Sequence, residues 1–70
     1  MEYTVAVTQT PDGNYMATCP LIPEAVSQGE TIEECIANMQ EVLELCIEFR
    51  KERGEEIPRE MGTRKVKVPA

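Results

Sequence analysis

The 70-residue sequence contains no histidine and no tryptophan, and only one aspartate. Without histidine there is no histidine base, no Ser-His or Cys-His pair and no histidine metal ligand. No glycine-rich run precedes the helix predicted below, so a phosphate-binding loop is absent. The single aspartate, Asp12, lies in a predicted turn, which argues against the clustered carboxylates of a two-metal nuclease. These absences predict a protein that is not an enzyme and that uses no metal or cofactor.

The three cysteines do not form an obvious pair. Cys35 and Cys46 lie eleven residues apart on one predicted helix, about 16 Å along its axis. Their Cα atoms would have to lie within about 7 Å for a disulfide. We therefore expect three reduced, buried cysteines in a cytoplasmic protein. The alternative for Cys35, a reactive thiol near a helix N-terminus, fits poorly with its place among apolar residues.

Long apolar runs are also missing. No stretch approaches the ~20 residues of a membrane-spanning helix. The N-terminus lacks the basic and apolar regions of a signal peptide. Both observations favour a cytoplasmic location.

Positive charge is absent from most of the chain. The net charge is −6, and residues 1–49 hold nine acidic residues without one lysine or arginine. All seven basic residues lie in 50–70, beside four acidic ones. The acidic part would repel phosphate, which argues against direct nucleic-acid binding, and would attract a basic protein.

The N-terminal third has the pattern of a β-hairpin. Residues 3–9 and 15–19 alternate between two kinds of side chain, which predicts two half-buried strands. Residues 10–14, Thr-Pro-Asp-Gly-Asn, are rich in turn formers. The two strands should therefore pair antiparallel across a loop of about five residues.

Two prolines, Pro20 and Pro23, bracket the apolar pair Leu21 and Ile22. Pro20 should end the second strand, because it cannot donate a ladder hydrogen bond. Pro23 stiffens the loop, after which residues 25–28 read as a short third strand. The first interpretation of the prolines is a fixed bend that returns the chain to the sheet. The second is a loop that a partner recognises.

A long amphipathic helix is predicted over residues 32–53. Thr31 and Glu34 form a capping box at its start, and Gly54 provides a stop. At 100° per residue, seven apolar side chains share one stripe that should pack on the sheet. They are Ile32, Cys35, Ile36, Met39, Leu43, Cys46 and Ile47.

Residues 63–68 alternate lysine and valine, which predicts a last strand at a sheet edge with its lysines facing water. The element order is then β-β-β-α-β. We expect a single α+β domain over residues 1–70, with an antiparallel sheet and one long helix packed on one face.

Two features of the helix exceed what a core needs. Its outer side carries the acidic residues Glu34, Glu41, Glu44, Glu48 and Glu52. They form either a solvated face or a surface for a basic partner. Beside the apolar stripe lie Val42, Leu45 and Phe49. These provide either extra core under the C-terminal segment or a surface for self-association as a homodimer or higher oligomer.

The sequence resembles a known family in three places. These are the hairpin with Asp12-Gly13 and Tyr15, the loop Pro-Leu-Ile-Pro at 20–23, and Gln-Gly-Glu-Thr at 28–31 followed by Glu33 and Glu34. Together they resemble the N-terminal domain of HicB-type antitoxins, over residues 3 to about 57. The resemblance implies a reduced ribonuclease H-like fold without enzymatic activity.

The resemblance also implies a partner, HicA, a small basic mRNA-cleaving toxin of the double-stranded-RNA-binding type. Such a partner suits the acidic charge of this chain. The residues expected to contact it are Glu34, Glu41, Glu44, Glu48, Leu21 and Ile22.

The chain departs from the family pattern at two points. Many relatives add a C-terminal DNA-binding domain, and this sequence carries none after the HicB-like part. Glu24 also stands where the family has glycine, so a strained or different loop is expected there. An alternative function is therefore a stand-alone regulatory or ligand-sensing subunit without a toxin. A remnant RNA-processing enzyme is a third hypothesis, against which the missing catalytic residues argue.

Overall fold

The computed structural model describes residues 2–62 and 64–69, and contains three short strands followed by one long helix. The α+β fold expected from the sequence, with an antiparallel sheet before the helix, is confirmed. The elements are β1 (Ala6–Gln9), β2 (Tyr15–Thr18), β3 (Val26–Gly29) and α1 (Ile32–Glu52).

The sheet has the order β1-β2-β3, with both pairs antiparallel. Val7 lies opposite Ala17, and Ala17 lies opposite Ser27, so these three residues share the sheet face that turns toward α1. The hairpin closes with a hydrogen bond of 2.8 Å from the Thr10 N–H to the Asn14 carbonyl. Asp12 accepts from the Thr10 hydroxyl and from the Asn14 N–H, which lowers the pKa of its carboxyl group.

The core lies between the sheet and the helix. Six apolar residues are buried there: Ala17, Cys19, Ile22, Ala25, Cys35 and Met39. Tyr3, Val5 and Val7 are partly buried and extend this core along the first strand. Apart from Ile22, the buried side chains are small or flexible, which lets the helix lie close to the sheet.

The beginning of α1 approaches β3 very closely at Gly29. A Cβ atom added there would lie 2.6 Å from the backbone nitrogen of Cys35. Next to it, the buried Ser27 hydroxyl donates to the Cys35 carbonyl at 2.9 Å. The Asn38 side-chain amide donates to the Gln28 carbonyl at 2.8 Å. Close packing and these two hydrogen bonds therefore join the first part of the helix to the third strand.

α1 begins and ends at the capping residues expected from the sequence. The Thr31 hydroxyl accepts from the Glu34 N–H at 3.1 Å, which makes Thr31 the N-cap as predicted. At the other end Gly54 has φ of +70°, and the Glu55 N–H donates to the Arg50 carbonyl at 2.9 Å. This is a Schellman ending, and it needs a residue that tolerates positive φ.

The apolar stripe of α1 is narrower than the sequence indicates. Cys35 and Met39 are fully buried, but Ile32 and Ile36 remain 49% and 42% exposed. The prediction that both isoleucines pack on the sheet is wrong, because the helix meets β3 through the line of Cys35 and Met39. A sheet with strands of only four residues is too small to cover both sides of that line.

The predicted last strand is a second correction. Residues 64–69 form no strand, and Thr63 lies outside the described residues. Val66 and Val68 are 82% and 78% exposed, so the described residues leave the apolar side of this segment uncovered. The chain is instead held earlier by two side-chain hydrogen bonds. The Tyr3 hydroxyl donates to the Pro58 carbonyl at 2.7 Å, and the Thr4 N–H donates to Glu60 Oε1 at 2.6 Å.

Candidate functional site

The outer side of α1 is an acidic surface. Helical periodicity places five carboxylates there, on the side away from Cys35 and Met39. All five side chains are exposed. We call them the acidic ridge: Glu34, Glu41, Glu44, Glu48 and Glu52.

No described residue forms an ion pair with the acidic ridge. The ion pairs among residues 2–62 and 64–69 are Arg50 with Glu24 and Arg53 with Glu55, and neither involves the ridge. Lys51 is the nearest cation in sequence, and it lines a shallow surface groove with Glu44, Ile47 and Glu48. The ridge thus presents unpaired acceptors suited to the lysines and arginines of a partner.

The loop between β2 and β3 turns inward. The Ile22 N–H donates to the Cys19 carbonyl at 3.2 Å, and the Ala25 N–H donates to the Ile22 carbonyl at 2.9 Å. These two turns place Ile22 in the core with no exposed surface. Ile22 is therefore removed from the set of candidate partner contacts.

Leu21, the neighbouring candidate, is partly exposed. It lines a cleft of about 350 Å³ together with Thr4, Pro20 and residues 59–62. No residue of the acidic ridge lines this cleft, and Leu21 remains a candidate contact of the loop.

Glu24 makes an interaction that the sequence analysis missed. Its carboxylate forms two hydrogen bonds of 2.8 Å with the Arg50 guanidinium, one from Nε and one from Nη2. This paired arrangement lowers the pKa of Glu24 to about 2 and raises the pKa of Arg50. It joins the proline loop to the last turn of α1, across 26 residues of sequence.

The expected strain at Glu24 is absent. No non-glycine residue of the described ranges has a positive φ. Glu24 therefore has an ordinary backbone conformation. The only sequence signal for its role was that Arg50 is the first basic residue of the chain.

The flank proposed for self-association divides into two parts. Val42 is partly buried against the core, whereas Leu45 and Phe49 are 67% and 56% exposed. The Arg53 guanidinium lies 5.4 Å from the centre of the Phe49 ring, a cation–π contact. Leu45 and Phe49 thus form an exposed apolar pair one helical turn apart.

The cysteines are placed as structural residues. Cys19 and Cys35 are buried, Cys46 is partly buried, and all three are free thiols. Burial raises the pKa of Cys46, which disfavours its reactive thiolate. In residues 2–62 and 64–69, no group of three histidine, cysteine or acidic side chains is arranged to hold a metal ion. The described part of the chain also contains no helix long and apolar enough to cross a bilayer.

The chain is similar in sequence to small proteins named UPF0150. No family model matches the chain. A UPF0150 protein of Thermoplasma acidophilum is 38% identical over 60 residues, which are 86% of this chain and 87% of that protein. A UPF0150 protein of Synechocystis is 41% identical over 58 residues, which cover 83% and 73% of the two chains.

Named antitoxins match the same region. Antitoxin HicB of Escherichia coli K12 is 40% identical over 58 residues, which are 83% of this chain but 42% of the antitoxin. The chain therefore spans about two fifths of that protein's length. The crystal structure of the N-terminal domain of the Burkholderia pseudomallei antitoxin HicB superposes with a TM-score of 0.77 at 35% identity. It covers 90% of this chain and 74% of that one.

Proposed function

Because the chain belongs to the HicB-like family that includes UPF0150 proteins and the N-terminal domains of HicB antitoxins, we propose that it neutralises a protein toxin. The proposed toxin is a small, basic, mRNA-cleaving protein of the HicA type. The chain acts by binding, without catalysis of its own. The observation that carries the proposal is the acidic ridge, whose charges no described residue neutralises.

The ridge has the dimensions of a protein contact. From Glu34 to Glu48 it extends about 21 Å along the helix, at 1.5 Å per residue. A basic toxin that binds RNA has lysine and arginine side chains that contact phosphate groups. A row of carboxylates offers those side chains an alternative set of acceptors. Occupying them would block the toxin from its RNA.

The ridge also costs helix stability, which supports a function. Glu44 and Glu48 are like charges at i and i+4, and so are Glu48 and Glu52. Each such pair destabilises a helix by roughly 0.2–0.5 kcal/mol. A face that only needed solvation would reduce this cost with interspersed lysines, as many surface helices do.

The test is a triple variant, Glu41→Gln, Glu44→Gln and Glu48→Gln, with a HicA-type protein as the binding partner, sought first among the products of genes next to that of this chain. Association should slow and its salt dependence should flatten, because electrostatic steering is removed. The isolated domain should be equally stable or slightly more stable. Growth rescue on co-expression with the toxin should weaken in parallel.

A matched control removes the same charge elsewhere. Glu2, Glu30 and Glu56 are exposed and lie outside the ridge, so their triple glutamine variant changes net charge equally. It should retain most of the association rate. A ridge variant that binds at the wild-type rate at low salt shows that the ridge is only a solvated face.

One observation favours a second candidate, a regulatory or ligand-sensing subunit without a toxin. The cleft of about 350 Å³ beside Leu21 has the volume of a small-molecule site and includes Arg59 and Glu60 as polar groups. If no neighbouring toxin exists, a screen of small anionic metabolites by chemical-shift change at Thr4 and Leu21 tests this alternative.

A further inference from the structure

The outer edge of β1 is open. In the antiparallel ladder the backbone groups of Thr8 and Thr10 face β2, as the bond from the Thr10 N–H to the Asn14 carbonyl shows. The ladder's alternation then turns the backbone N–H and C=O groups of Val7 and Gln9 away from β2. Neither residue's backbone groups have an outward partner within the described residues. An unpaired edge of this kind is a template for another strand.

The opposite edge of the sheet is partly occupied by α1. The same alternation turns the Gln28 carbonyl outward on β3, and the Asn38 side chain of α1 occupies it at 2.8 Å. The helix also lies against β3, down to the close approach at Gly29. The β1 edge, whose outward backbone groups have no partner among the described residues, is therefore the more accessible place for an added strand.

Residues 64–68 have the pattern of a strand but no partner strand. Val66 and Val68 alternate with Lys65 and Lys67, and both valines are about four-fifths exposed. A strand of this segment would place both valines on one face and both lysines on the other. On the β1 edge, the valines would continue the partly buried face of Val5 and Val7.

The distribution of charge along the sequence favours a second copy of the chain as the binding partner of this segment. Residues 1–58 contain twelve acidic and three basic residues, a net charge of −9, whereas 59–70 contain one acidic and four basic, a net charge of +3. Two acidic domains repel each other, and a basic segment reaching across lowers that repulsion. The β1 sequence Ala-Val-Thr-Gln is itself uncharged, so the contact buries no carboxylate.

We propose that residues 64–68 of one copy add as a fourth strand to the β1 edge of a second copy, and that the exchange is mutual in a two-fold dimer. The open edge has four residues and the segment has five, so their lengths match. This inference concerns self-association and does not depend on the existence of a toxin.

Mixed isotope labelling of the full chain tests the exchange directly. A sample of labelled and unlabelled chains should give filtered nuclear Overhauser contacts between Val66 of one chain and Val7 of the other. Amide exchange at Val7 and Gln9 should slow at least tenfold as concentration rises through the dimerisation range. Contacts found only within single chains mean that the segment pairs with its own β1, and they overturn the proposal. A monomer at millimolar concentration overturns it too.

A matched pair of variants provides an independent readout. Val66→Asp should weaken the dimer at least tenfold in sedimentation, while Met61→Asp, the same charge change at a residue 90% exposed, should not. Val66 has little buried surface in the single chain, so the hairpin resonances should stay in place. Equal loss in both variants, or no loss in Val66→Asp, contradicts the strand exchange.

Discussion

The two ends of α1 are fastened to the rest of the domain by different chemistry. At the N-terminal end, Gly29 and Ser27 contact the backbone of Cys35, and the hydroxyl of Thr31 caps the first turn. At the C-terminal end the link is electrostatic, between Arg50 and Glu24. Packing and buried hydrogen bonds are insensitive to pH and salt, whereas an exposed ion pair is not. One helix therefore has an end fixed by shape and an end fixed by charge.

The largest effect should follow from disturbing the packed end. Gly29→Ala places a methyl group against backbone atoms of Cys35, which cannot move aside as a flexible side chain would. We expect a loss of about 3 kcal/mol in the free energy of unfolding, measured by urea denaturation. At the other end, Gly54→Ala meets no atom within 4 Å but must adopt positive φ, and should cost about 1 kcal/mol. Equal losses at the two glycines would remove the contrast between the ends.

A moderate effect is expected at the N-cap. Thr31→Ala removes the acceptor of the Glu34 N–H and should cost on the order of 1 kcal/mol, which lowers the melting midpoint by several degrees. Thr31→Ser keeps the hydroxyl and should melt close to the wild type. An unchanged midpoint in the alanine variant shows that this hydrogen bond does not hold the helix start.

The charged end should respond to acid. The pKa of Glu24 is lowered from 4.5 to about 2, so its contribution to stability is complete above pH 4.5 and is lost as pH falls toward 2. The wild type should lose more thermal stability over this window than Glu24→Gln, which has no carboxyl group to titrate. Glu55→Gln, which removes the more exposed pair with Arg53, is the control and should keep the wild-type profile. Parallel profiles for the wild type and Glu24→Gln contradict the role of this ion pair.

The smallest effect on stability should follow from a substitution between the two attached ends of α1. Leu45 is 67% exposed, so Leu45→Glu should leave the melting midpoint nearly unchanged. If the exposed pair of Leu45 and Phe49 is a self-association surface, the variant should still weaken assembly in sedimentation at micromolar concentration. A wild-type chain that stays monomeric well above that range is the contrary result. Comparison with Val66→Asp then tells which surface forms the dimer.

Local interactions were predictable from the sequence. The hairpin and the Thr31 cap depend on residues within a few positions of each other, so the pattern of the sequence contains them. The pair of Glu24 and Arg50 spans 26 residues, and no local pattern indicates it. Ile22 was expected to face a partner because loops lie at the surface, but two consecutive turns direct it into the core.

The candidate binding surfaces could be predicted only in part. Helical periodicity placed the acidic ridge on the outer face of α1, since that depends on one helix alone. The exposure of Ile32 and Ile36 depends instead on how far the sheet extends beneath them. The alternation over residues 63–68 predicts a strand, which is wrong for the described residues 64–68, because a strand needs a neighbour and sequence alone does not supply one.

The charged side chains at the two ends of α1 form an electric dipole. Glu33 and Glu34 lie in the first turn and Arg50 and Lys51 in the last, about 26 Å apart along the 21-residue helix. These side chains form a dipole along α1 with its negative end at the helix start, which the smaller backbone dipole of the helix opposes. A basic protein approaching from solution experiences a torque that rotates the acidic end toward it before contact. The same torque favours an antiparallel arrangement of two identical chains, in which the last turn of each helix faces the acidic first turn of the other.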